Sequence, residues 1–105
     1  MSKLMVGWTT VANEDDADKL ARNLLNHKLA ACVQVDPPIR SYYNWEGTMH
    51  CDTEYRLKIK FVTKDEAHLM EWLKKHHPYT IPQWYAMEAS TLPAYLKWAI
   101  ETTER

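Results

Sequence analysis

From Glu54 to Phe61 the chain alternates without a break. Tyr55, Leu57, Ile59 and Phe61 are apolar, and Glu54, Arg56, Lys58 and Lys60 between them are charged. A period of two with one polar side means an antiparallel strand that is half exposed. This strand is the return leg of a hairpin. Ile39-Arg40-Ser41-Tyr42-Tyr43-Asn44-Trp45 forms the outward leg, and Glu46-Gly47 marks the turn. The pair exceeds the usual strand of about five to six residues. An arm that projects beyond a small domain needs something to pair with.

The rest of the chain supplies the layers around this arm. Leu4 to Thr10 reads as a first strand. Asn13 is placed to cap a helix, with Glu14, Asp15 and Asp16 in the first turn, where carboxylates suit the positive end of the helix dipole. Ala17, Leu20, Ala21, Leu24 and Leu25 recur at helical spacing, and His27 and Lys28 close the helix. Ala30 to Val35 is a short apolar strand. Asp36-Pro37-Pro38 interrupts it, and proline there forces a bulge, a bend or an edge. Thr63-x-x-Glu66 has the spacing of a capping box. The following helix carries Leu69, Met70, Leu73 and His76 on one side and ends at Pro78. Gln83 to Ala89 reads as a fourth main strand. Ser90 or Thr91 then caps a last helix with Pro93 in its first turn. Its apolar side is Leu92, Tyr95, Leu96, Ala99 and Ile100. This order predicts an α+β fold: a ferredoxin-like βαββαβ sandwich with an extended hairpin between its second and third strands and an extra C-terminal helix. One domain over residues 1–105 is expected.

Composition narrows the function classes. Apolar residues make up 46% and charged residues 26%, the balance of a soluble globule rather than a disordered chain. With a net charge of −1, the only basic stripe is Arg56, Lys58 and Lys60, too short for a nucleic-acid partner. No apolar run approaches the roughly 20 residues that span a bilayer. Met1 to Val6 has too short an apolar core for a secretory signal, so a cytoplasmic location is expected. Cys32 and Cys51 form no CxxC and are expected to stay reduced. Gly7 and Gly47 are the only glycines, which excludes the dinucleotide fingerprint and the P-loop; no organic cofactor is expected. No Ser/His/Asp motif or paired-carboxylate signature marks an enzyme.

The aromatic load is heavy, with five Trp, six Tyr and one Phe. The predicted helices cover one face of the sheet, and a chain this short cannot cover the other. Self-association is the expected remedy. Trp45, Trp84, Tyr42 and Tyr43 read either as anchors of a subunit interface or as a second core within the chain.

The stretch His76-His77-Pro78-Tyr79-Thr80-Ile81-Pro82 holds the best candidate chemistry. Imidazole is the side chain that most readily binds a transition metal or moves a proton near neutral pH. Adjacent helical residues point about 100° apart, so a third ligand would come from Cys32, another loop or a neighbouring subunit. Alternatively, His76 joins the Leu69 and Leu73 stripe while His77 meets the helix carboxyl end. Cys32 is either a soft copper(I) ligand or a small buried hydrophobe. His50-Cys51-Asp52 is a surface metal binder or a solvated loop. Tyr79, Lys60 and Glu54 either line a pocket for a small anionic ligand or form an exposed strand face with routine ion pairs.

Taken together, several segments resemble the CutA family of divalent-cation-tolerance proteins. They are Leu29-Ala30-Ala31-Cys32-Val33, Tyr42-Tyr43-Asn44-Trp45-Glu46-Gly47, Glu54 with Lys60, and His77-Pro78-Tyr79-Thr80-Ile81-Pro82. The similarity runs from about Met5 to Trp98, in the family's order. It implies a ferredoxin-like fold, a homotrimer joined through continued sheets, a link to copper and other divalent cations, and no firmly attached enzymatic activity. Some members carry cysteine where this chain has Trp8 and Trp72, and indole ligates no metal. The leading expectation is therefore a non-enzymatic trimer that binds copper or another divalent cation and serves the response to metal ions. The alternative is a PII-like signalling protein that holds a small anionic effector in clefts between subunits.

Overall fold

The computed structural model describes residues 2–105. The elements are β1 (Leu4–Val11), α1 (Glu14–Asn26), β2 (Cys32–Val35), β3 (Ile39–Trp45), β4 (Thr48–Val62), α2 (Glu66–His76), β5 (Tyr85–Glu88) and α3 (Pro93–Thr102). The four strands of the main sheet lie in the order β2-β4-β1-β5, all antiparallel, and β3 pairs with the far half of β4. The expected ferredoxin-like α+β fold is present, with its second strand divided. Asp36-Pro37-Pro38 makes that division. Val35 lies opposite Leu57 and Ile39 opposite Glu54, so the proline side takes one more step than its partner. One extra residue on one strand is a β-bulge, and it bends the arm away from the sheet.

The arm closes at Trp45 and Thr48, which pair across a two-residue turn. Glu46 and Gly47 have φ of 51° and 76°. Two positive φ values define a type I′ turn, whose twist matches the strands it joins. The arm lengthens the molecule to 45 × 24 × 23 Å, with a radius of gyration of 14.4 Å. A compact chain of this length has about 13 Å.

Alternation along the strands separates two faces. Met5 and Val11 of β1 join Leu57, Ile59 and Phe61 of β4 against Leu20 and Leu24 of α1 and Leu69 and Leu73 of α2. This is the main core. On the reverse face a smaller cluster joins Leu4, Ala31 and Val62 to Ala99 of α3. α3 thus covers one end of that face. The remainder stays open: Trp8 stacks on Tyr85 at 5.4 Å between ring centroids, and Tyr85 and Met87 are 48% and 53% exposed.

Local signals explain most helix boundaries. Asn13 Oδ1 accepts from the Asp16 N–H at 2.8 Å, the expected cap. α1 ends with Leu29 N–H bonded to Leu24 O and Lys28 N–H to Leu25 O. That is a Schellman closure with Lys28, at φ 57°, in the position glycine favours. Pro78 follows the end of α2 as expected, and His77 already has extended backbone at ψ 137°.

Other expectations fail on tertiary grounds. Thr63 makes no capping box; its hydroxyl accepts the Lys3 N–H at 2.9 Å, and a short 3-10 turn over Thr63–Asp65 precedes α2. Neither Ser90 nor Thr91 caps α3; Leu92 holds that position without a side-chain bond. Met70, Leu25 and Leu92 lie exposed, outside their assigned apolar stripes. β5 is shorter than the Gln83–Ala89 expected, and Trp84 precedes it.

Candidate functional site

The proline after α2 turns His77 inward. His77 is 8% exposed. Its Nε2 lies 3.0 Å from Thr9 Oγ1 and 3.1 Å from the Thr10 carbonyl oxygen. Its Nδ1 accepts the Tyr79 N–H at 3.1 Å. A carbonyl can only accept, so Nε2 carries the proton and the Nδ1 lone pair is already engaged. Burial pushes the imidazole below its usual value, against the opposing pull of the Thr10 carbonyl. His77 is a neutral linker between β1 and the loop after α2, with no lone pair left for a metal.

That link sets Tyr79. Its hydroxyl donates to Glu54 Oε2 at 2.7 Å. Burial, reinforced by the Glu54 hydrogen bond, pushes the phenol well above its ordinary value. Between the arm and the Pro78–Gln83 loop lies a cleft of about 890 Å³. Tyr43, Trp45, Asp52 and Glu54 form its arm wall, and Thr10 and Ala12 its floor. Tyr43 donates its hydroxyl to Asp52, which raises the Tyr43 phenol in turn. His50 stacks on the Tyr43 ring at 5.4 Å. Among the described residues no Lys, Arg or His lines the cleft.

Within one subunit, the three residues expected to line the anion pocket are not all brought together. Tyr79 and Glu54 meet, but Lys60 lies six residues along β4 from Glu54, about 20 Å away at strand rise. Its Nζ sits 5.8 Å from the centroid of the Tyr95 ring, and its cross-strand neighbours are Val6 and Cys32. Within one subunit, the charged side chains lining the cleft next to Tyr79 are the acids Asp52 and Glu54. Asp52, read from the sequence as part of a surface metal binder or a solvated loop, and Tyr43, read as an interface anchor or part of a second core, both line this cleft. The spacing of Asp52 and Glu54, two apart on a strand, places both on one face and was the available signal.

The expected metal set is also dispersed. Cys32 faces the open side of the sheet with Lys60 and Val6, whereas His77 is bonded to Thr9 on the helix side. His76 and His77 exchange their alternative roles: the core position belongs to His77, and His76 is exposed. The His76 ring stacks on Trp72 at 4.4 Å, and its Nδ1 donates to the Trp72 carbonyl at 2.9 Å. That leaves the His76 Nε2 lone pair free. Among the described residues no three His, Cys, Asp or Glu side chains gather as a metal site. Cys32 and Cys51 are free thiols.

Of the four proposed aromatic anchors, Tyr42, Tyr43 and Trp45 stand 42% to 62% exposed on the arm. Trp84 does not join them. It packs against Phe61 at 5.8 Å between ring centroids. It also lies over Gly7, where an added Cβ would meet its ring at 2.2 Å.

Fold and cleft together define a class: a small ferredoxin-like protein with a two-stranded arm, an open sheet face and an acidic, aromatic cleft. The family model for the CutA1 divalent ion tolerance protein matches residues 5–102, and the chain belongs to that family. A Protein CutA homolog from Xenopus laevis is 38% identical over 96 residues, covering 90% of this chain; the chain spans only 64% of that relative's length. The divalent-cation tolerance protein CutA of Thermus thermophilus is 38% identical over 95 residues, covering 90% of this chain and 92% of its own. CutA1 from Ehrlichia chaffeensis superposes with a TM-score of 0.94 at 25% identity, covering 100% of this chain and 99% of its own. The CutA of Archaeoglobus fulgidus, described as periplasmic, superposes with a TM-score of 0.89 at 32% identity, covering 99% and 100%. These names describe tolerance of divalent cations, not a reaction. No helix among the described residues is long and apolar enough to cross a membrane.

Proposed function

We propose that this chain acts as a homotrimer that binds a divalent cation, copper among them, in the response to metal ions, and that it catalyses no reaction. Membership of a divalent ion tolerance family supports the cation. The observation that carries the assembly is the uncovered half of the sheet. Trp8, Tyr85, Met87 and Val6 share one surface that α3 leaves bare, beside an arm bearing exposed Tyr42 and Met49. An apolar surface of this kind favours contact with further copies. Because no three ligands gather among the described residues of one subunit, a bound ion draws its ligands from more than one copy. His76, through its free Nε2, and Cys32 are the available donors from the expected set. Two free thiols suit the reducing cytoplasm.

Two measurements test this. An intact-complex mass at micromolar concentration is expected to give three chains, and a stable monomer ends the proposal. Calorimetric titration with Cu²⁺ is expected to lose its saturable heat in a His76→Ala, Cys32→Ala double variant. Unchanged affinity removes these two residues from the site.

A further inference from the structure

Asp65 stands just before α2, in the position whose side chain commonly bonds the free N–H groups of its own helix. It makes no such bond. Its carboxylate is fully buried and meets the residues that follow α3 instead. Arg105 Nη2 lies 2.9 Å from Oδ1, though without the alignment of a hydrogen bond. Lys64 Nζ donates to Oδ2 at 2.9 Å. Two more acceptors reach the same guanidinium. Its Nη1 donates to the Lys28 carbonyl oxygen at 3.0 Å, and its Nη2 lies 3.3 Å from His68 Nδ1. A guanidinium presents five donors in a planar fork and no acceptor, so a carboxylate, a carbonyl and an imidazole lone pair all suit it. An ammonium is a compact point charge and cannot span the three.

These contacts tie three elements together. Lys28 follows α1, Asp65 and His68 belong to the start of α2 and the turn before it, and Arg105 follows α3. Two lysines add to the fastening: Lys64 Nζ donates to the Thr103 carbonyl and Lys28 Nζ to the Glu104 carbonyl, each at 3.2 Å. Lys28 holds φ of 57°, where glycine would be easier. Glycine would keep the carbonyl that Arg105 uses but not the ammonium that reaches Glu104.

α3 has few other holds. It is ten residues long, and an isolated helix shorter than about 12 is marginal in water. Its first turn has no side-chain cap, and Ala99 is its one buried residue. Yet it is the cover of the smaller core cluster at Leu4, Ala31 and Val62. A unit with little buried apolar contact opens at lower cost than the main core.

We propose that Asp65, His68 and the Lys28 carbonyl form a guanidinium socket, filled by Arg105, that latches α3 as a strap over the reverse face of the sheet. With the latch closed, Leu4, Ala31 and Val62 are covered. With it released, α3 lifts as a unit and the bare apolar strip of that face grows longer. The latch lies within one chain and uses neither His76 nor Cys32, so it stands apart from the metal reading.

Backbone hydrogen exchange of the full chain, with EDTA present, tests the latch. Arg105 is half-exposed, so Arg105→Ala is expected to fold. It is expected to speed exchange across α3 about fivefold, the loss of one ionic contact partly screened by water, and to leave β1 and β4 unchanged. Methylguanidinium chloride, added to this variant well below unfolding concentrations, is expected to refill the socket and slow α3 again. Methylammonium chloride and sodium chloride at the same concentration are expected to leave α3 fast. Unchanged exchange across α3 in Arg105→Ala overturns the latch, and so does acceleration shared equally by β1 and β4. Failure of methylguanidinium to slow α3, or equal slowing by the other two salts, overturns the guanidinium socket.

Discussion

His77 offers the most informative perturbation, because its ring joins β1 to the loop that forms one wall of the cleft. The folded chain holds this imidazole neutral, below its ordinary pKa of about 6.5. The unfolded chain titrates at the ordinary value. Between the two pKa values the unfolded state binds a proton that the folded state refuses. Stability from this group is therefore complete above about pH 6.5 and is lost as the pH falls toward the lowered folded value. The slope reaches at most about 1.4 kcal/mol per pH unit in that window. The structural reason is specific. Protonation puts a hydrogen on Nδ1, where it faces the Tyr79 N–H, so an acceptor becomes a second donor. Losing that bond costs about 1 kcal/mol and loosens Tyr79 from Glu54. Urea denaturation of wild type and His77→Gln, stepped from about pH 7.5 to 5, reads the effect as a difference. Glutamine keeps a donor and an acceptor, so the variant is expected to fold with a loss of about 1–3 kcal/mol at neutral pH. The exposed histidines are common to both proteins and cancel. The gap between the two curves is expected to narrow as the pH falls. Parallel curves across the whole window would refute a neutral, buried His77.

Two further perturbations probe the scaffold. Gly7→Ala places a Cβ 2.2 Å from the Trp84 ring, which Phe61 backs; a loss of about 1–3 kcal/mol in denaturant unfolding is expected. In a Trp84→Leu background that loss should shrink, and equal costs in both backgrounds would remove the clash as its cause. Glu46→Asn relieves a non-glycine residue at φ 51° in the arm turn; it is expected to raise stability by about 1 kcal/mol, and a lowered thermal midpoint would contradict the turn assignment.

Much of this protein is written locally. The alternation from Glu54 to Phe61 fixes which side of β4 is buried, because strand side chains alternate whatever they pack against. Asn13 before three acids, Pro78 after His77, and the proline pair at residues 37–38 each act on the backbone within a turn or two. Their consequences appear where the sequence places them: an N-cap, a helix end and a bulge. Of the heavy aromatic load, Tyr42, Tyr43 and Trp45 stand exposed on the arm.

What local pattern cannot carry is which distant groups meet. Lys60 and Glu54 share one strand and one face, yet strand rise holds them apart, and the loop bearing Tyr79 reaches only Glu54. His76 and His77 are neighbours in sequence, but the break at Pro78 gives one to solvent and the other to Thr9 and Thr10. Thr63 has capping-box spacing, but Lys3, paired nearby through β1, takes its hydroxyl first. The amino-acid order determined the elements, because hydrophobic period, capping and proline act over a few residues. The register of β4 against its neighbours decided the cleft, its acidic sign and the scattering of the metal candidates, because contact between remote side chains depends on strand rise and face.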